Sequence, residues 1–262
     1  QLSVQSKLAR TARLFTLATL VAGGVSGCWW DESGSSSNLG SSPPPPPPPG
    51  ASITGSVVGN FVSGSAVTAY ALNPDGTLGA SLRSGTSATD GSYTITLTST
   101  PSGPVEVVAA GGTYTSESDA TTVTLGTLRA LVPSVGSSGV TGIVVSPLSD
   151  MALERAVALI KGGASVADAL AAALALVETN YGFTSTLAGM LPDFAKTAIG
   201  TDPYLFGLVL GSLETCAART TGVARGDLFT ALSLDFSDGL FDGRKDGAPV
   251  TLGAGSLSST AG

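Results

Sequence analysis

Between Val145 and Pro147 the spacing of the apolar residues changes, and this limits the folds open to the chain more than any other feature. Residues 51–145 place them at every second position in short runs, the mark of half-buried strands. From Ser146 they recur every three or four positions, as on one face of a helix. Strands grouped first and helices after exclude an alternating βαβ chain. The expectation is a multi-domain protein, with an all-β sandwich over 51–145 and an all-α helical bundle over 146–262, the latter read as cut short at Gly262.

Within the first part, Ile53, Val57 and Val58 lead into a Gly59-Asn60 turn. Ala66–Leu72 ends at Asn73-Pro74-Asp75-Gly76, a strong turn signal. A strand over about 81–87 precedes Thr89-Asp90-Gly91, and Ser92–Leu97 then puts Tyr93, Ile95 and Leu97 on one face. Val105–Ala110, Gly111–Tyr114 and Thr121–Leu125 follow. Residues 131–145 read as a connector rich in Gly, Ser and Pro, whose last residues, Ile143–Val145, close the sandwich. Such a connector predicts loose docking between the halves, so that 51–145 folds alone.

Gly55–Val57, Ala66–Ala69 and Thr86–Leu97 together resemble the carboxypeptidase regulatory-like, transthyretin-like β-sandwich family. That resemblance covers about 80 residues and implies a β-sandwich fold found in adhesive, spacer and sugar-contacting modules. It implies no particular chemistry.

Ser146-Pro147 is a helix start, with an N-cap hydroxyl and proline at the first helical position. Met151, Leu153, Ala156, Leu159 and Ile160 form the stripe up to Gly162-Gly163. Ser165–Asp168 is a capping-box variant opening a helix that stops at Gly182. Further helices are expected over Leu191–Ile199, from Asp202-Pro203 to Cys216, and over Leu228–Leu234. VSPLSDMALERAVALI also resembles a junction in bacterial lipoproteins that joins such a sandwich to a small helical domain.

The N-terminal stretch carries Lys7, Arg10 and Arg13, then the apolar run Leu14–Cys28, the layout of an export signal. The run is too short and too glycine-rich for a membrane span of about 20 residues. Val25-Ser26-Gly27-Cys28 resembles the lipobox of bacterial lipoproteins, which implies cleavage before Cys28 and acylation of its thiol and amino group. Several acyl chains at about 0.8 kcal/mol per methylene give a lasting anchor. The same resemblance implies outer-membrane residence, because Trp29 rather than Asp follows the cysteine; Trp29 and Trp30 suit the membrane interface. Residues 29–50 read as a disordered Ser/Gly linker ending in Pro43–Pro49, a polyproline spacer of roughly 20 Å at about 3.1 Å per residue.

Of twelve Lys and Arg, three precede Cys28, and all nineteen Asp and Glu follow it, so nine against nineteen leaves about −10 beyond the cleavage point. Such a chain has no basic surface for nucleic acid. With no histidine present, triads and imidazole-ligated zinc are excluded for these residues. Cys216 is the only cysteine beyond Cys28, and its helical neighbours suggest a buried, inert thiol. Asp235, Asp238, Asp242 and Asp246 form a weak Ca²⁺ candidate without EF-hand spacing, crossed by Arg244 and Lys245. Asp75 and Asp90 read as turn formers. Glu106 is placed on the solvent face of its strand, and Glu154, Glu178 and Glu214 on exposed helix faces.

These features give no catalytic residue and no resident cofactor. The function read from them is a non-enzymatic, lipid-anchored envelope protein, with the membrane as partner through Cys28 and a glycan or an envelope protein as a further partner. The alternative is the accessory region of a larger carbohydrate-binding or hydrolytic surface protein whose catalytic part lies beyond Gly262.

Overall fold

The computed structural model describes residues 50–220, 223–252 and 255–256. The signal, lipobox, Trp pair and nearly all of the proline-rich linker lie outside these residues. Nine strands form first: β1 (Ser52–Val57), β2 (Ala66–Leu72), β3 (Leu78–Thr86), β4 (Ser92–Thr96), β5 (Val105–Ala110), β6 (Thr113–Thr115), β7 (Thr122–Thr124), β8 (Thr127–Val132) and β9 (Val140–Val145). Strands β3-β2-β5-β8 make an antiparallel four-stranded sheet, and β4-β1-β9 make a three-stranded one in which β1 and β9 run parallel. Strands β6 and β7 pair as a separate hairpin.

Alternation decides the layers. Val67 and Ala69 of β2, Val105, Val107 and Ala109 of β5, and Ile53, Val57, Tyr93 and Ile95 of β1 and β4 meet in one buried core. Strand β8 supplies Leu128, Ala130 and Val132 to it, and was not anticipated. Two residues, Tyr93 and Gly55, converge on one carbonyl. Tyr93 donates its hydroxyl to Ile143 O at 3.0 Å, while a Cβ on Gly55 would fall 1.8 Å from that same oxygen. Only glycine lets β1 approach β9 this closely.

The change of period produces α1 (Pro147–Lys161), α2 (Val166–Tyr181), α3 (Asp202–Arg219) and α4 (Arg225–Asp235). Helix α1 starts in a reciprocal capping box: Ser149 N donates to Ser146 Oγ and Ser149 Oγ accepts from Ser146 N. Helix α2 is capped by Ser165 and ends on Gly182 in the left-handed region, φ 76°. The helix expected over Leu191–Ile199 does not form. Asp193 Oδ2 accepts the amides of Thr197 and Ala198, each at 2.8 Å, and Lys196 turns left-handed at φ 57°. The side chain has taken amides that a helix would have paired with carbonyls.

The helices dock tightly, which corrects the expectation of a loose join. Leu148, Met151 and Ala152 of α1 share a cluster with Leu72, Leu131 and Val144 of the strands. Phe229 of α4 enters the sandwich core itself. Near it, a Cβ on Gly226 would lie 2.9 Å from the Cα of Gly126, so bare backbone meets bare backbone.

Candidate functional site

Three constellations occupy the join between sandwich and helices. The first is ionic. Arg129 points from the outer face of β8 and donates from Nε to Asp150 Oδ1 and from Nη2 to Glu154 Oε1, both at 2.7 Å. Lys245 Nζ reaches the other Glu154 oxygen at 3.1 Å. Glu106 lies on the same outer face, only 4% exposed. The sequence assigned it the correct face of the strand, but α1 covers that face, so the solvent-exposed placement is corrected. Burial pushes the Glu106 carboxyl up, Arg129 opposes this, and Asp150 and Glu154 add to it. Burial also raises Asp150 against the pull of Arg129. For Glu154, Arg129 and then Lys245 outweigh burial, and its carboxyl stays below the ordinary range.

The second constellation joins the β6–β7 hairpin to α3 and α4. Arg225 donates to Glu214 Oε1 at 2.9 Å and to Asp119 Oδ2 at 2.6 Å, while Glu214 Oε2 accepts the Glu117 amide at 3.2 Å. Glu214 is 1% exposed, so its expected place on an outer helix face is also corrected. Glu154 and Glu178 are half-buried rather than exposed, and Glu178 accepts the Leu187 amide at 2.8 Å. Beside this cluster runs an open groove of about 590 Å³ with a mixed lining, Glu117, Lys196, Ser212 and Arg219 beside Leu208. Cys216 stands on its wall and is exposed, contrary to the buried thiol expected.

The third is an apolar pocket of about 290 Å³. It lies where the outer strands of the two sheets, β8 and β9, come side by side without pairing, under α1, α2 and residues 187–189. A sealed, dry void of that size would cost roughly 7 kcal/mol at about 24 cal/mol per Å³, on the scale of a whole domain's stability. The pocket is not sealed: Ala188 and Gly189 at its rim are exposed.

The Ca²⁺ candidates act as turn formers. Asp235 Oδ1 and Asp242 Oδ1 both accept the Arg244 amide, at 2.9 and 3.0 Å, and Asp238 accepts the Leu240 amide at 2.9 Å. Asp246 sits at φ 52° in the turn between Arg244–Lys245 and Ala248–Pro249. Among the described residues no three Asp, Glu, Cys or His side chains come together to hold a metal ion. Asp75 and Asp90 accept the amides of Thr77 and Ser92, each at 3.0 Å, as turn formers do. Among the described residues, too, no helix is long and apolar enough to cross a membrane. Lipidation at Cys28 falls outside the described residues.

No family model matches the chain, and no curated protein matches it. Among solved structures, the chain is similar to a candidate carbohydrate-binding protein of Pseudomonas aeruginosa at 17% identity. The likeness covers 37% of this chain and 88% of that one, with a TM-score of 0.26. A superposition this loose bears on neither the fold nor the ligand here.

Sequence reasoning missed Arg129, Asp150, Asp119 and Arg225. The signal for Arg129 was present, since Thr127–Val132 alternates with Arg129 opposite Leu128 and Ala130. Nothing in the sequence signalled the pocket, whose walls come from segments far apart in the chain.

Proposed function

We propose that the chain is a lipid-anchored, non-catalytic protein of the bacterial cell envelope, which holds a rigid carboxypeptidase regulatory-like sandwich and its helices away from the outer membrane. The observation that carries this reading is the adjacency of tether and fold. The run Pro43–Pro49 ends three residues before β1 begins at Ser52, so the proline-rich segment adjoins, in sequence, the middle strand of a sheet. The ion pairs at the join, which hold the buried Asp150 and Glu214, supply the rigidity that a displayed module requires.

The test is metabolic labelling with palmitate and treatment with globomycin, an inhibitor of lipoprotein signal cleavage. The parent protein should take up label and accumulate as a precursor under globomycin, whereas Cys28→Ser should take up no label and remain an unprocessed precursor with or without the inhibitor. An unlabelled parent that is processed in the presence of the inhibitor sinks the proposal. Gradient fractionation places the labelled protein with the outer membrane; recovery in the inner membrane overturns the assignment made from Trp29.

A further inference from the structure

We propose that the pocket between β8, β9, α1 and α2 is a binding site for an uncharged hydrocarbon, either a small apolar molecule or the tail of a larger one. Its chemistry follows from its walls. Leu148, Leu170, Leu174, Ile143 and Phe206 present carbon to the cavity, and among the described residues no charged one lines it. The two serine side chains present are already engaged: Ser149 Oγ donates to Arg129 O at 2.8 Å, and Ser146 Oγ accepts the Ser149 amide at 3.2 Å. A water molecule needs two to four polar partners to be held, so water is a poor occupant here. An apolar cavity of about 150 Å³ admits benzene, so about 290 Å³ gives room for roughly twice that number of carbons.

At the rim, Gly142 and Gly189 lie against one another, both left-handed at φ 75°, and a Cβ on Gly189 would come 3.4 Å from the Gly142 carbonyl. The exposed Ala188 and Gly189 leave the pocket open to solvent on this side. The covering segment is pinned from both ends: Thr184 N and Ser185 N donate to Asp202 Oδ2 at 3.0 and 2.6 Å, and Leu187 N donates to Glu178 Oε1 at 2.8 Å. Among the described residues no cation lines the pocket to pair with an anionic head group, so neutral ligands are favoured over fatty acids.

Titration of the full-length Cys28→Ser chain, free of acyl groups and detergent, with the neutral fluorophore 1-aminoanthracene tests the site. The expected result is a saturable one-to-one signal, displaced by decanol at least as well as by decanoate and untouched by soluble sugars. Ala152→Leu fills the cavity from α1 and Ala188→Trp covers its mouth from an exposed position; each lowers affinity tenfold or more. Ala152→Leu melts no lower than the parent, which separates lost binding from lost fold, and Ala188→Trp decides the matter should the buried variant misfold. Absence of saturable binding, unchanged affinity in a folded variant, or tenfold tighter binding of decanoate overturns the proposal. Extraction of the purified protein followed by mass spectrometry separates an acyl tail from a free small hydrocarbon as the natural source.

Discussion

Arg129 Nε lies 2.7 Å from Asp150 Oδ1, tying the edge strand of the four-stranded sheet to the first turn of the first helix. Asp150 is 1% exposed, so removing the arginine strands a buried carboxylate. Arg129→Met should cost about 3 kcal/mol, the lower end of the range for breaking a buried pair because the arginine side chain is a quarter exposed. Adding Asp150→Leu should restore much of that loss, and urea denaturation of the single and double variants measures both steps.

Glu106 gives a pH dependence with a defined sign. Burial raises its carboxyl in the folded protein, so the folded state holds the proton more tightly than the unfolded chain. The stability linked to that proton is fully present below the ordinary carboxylate range and is lost as pH rises through the raised value. Glu106→Gln should therefore melt higher than the parent at pH 7, with the gap closing below about pH 4. A variant that melts lower at pH 7 would show that Arg129 stabilises the ionised form more than burial penalises it.

Glycines at two positions should respond in opposite ways. Gly55→Ala drives a Cβ into the Ile143 carbonyl and should cost about 3 kcal/mol or prevent folding. Gly103 has nothing within 4 Å of a built Cβ and no positive φ, so Gly103→Ala should be neutral or stabilise by about 0.5 kcal/mol. Thermal melts of the two variants provide the comparison.

Shared packing also predicts how the whole unit melts. Phe229 sits in the sandwich core, and Leu72 and Leu131 sit under the helices, so neither part keeps its buried surface alone. Calorimetry should give a single transition. Two resolved transitions would restore the picture of separable domains, in which residues 51–145 fold unaided.

The places where sequence and structure part have physical causes. Turn and capping residues act within a few positions, so Ser146, Ser165, Gly182, Asp75 and Asp90 could be assigned from neighbours alone. Glu106 and Glu214 could not, because what covers each comes from elsewhere in the chain: α1 lies over Glu106, and Arg225 and the Glu117 amide close over Glu214. Leu191–Ile199 has a helical composition, yet one carboxylate, Asp193, diverts its amides. The pocket is a property of shape, formed where α2 and the segment after it cross the gap between β8 and β9, and no residue type announces it.

The parallel pairing of β1 with β9 has a mechanical consequence. Gly50 leads into β1, which is held by β4 on one side and by β9 on the other, and β9 runs directly into α1. A pull on the chain before β1, resisted by a load on the helices, draws the two parallel strands past each other lengthwise. The bridged positions from Ile53 to Val57 then carry the force together instead of opening one at a time. Tension applied to the chain ahead of this strand would thus load the fold along its stronger direction.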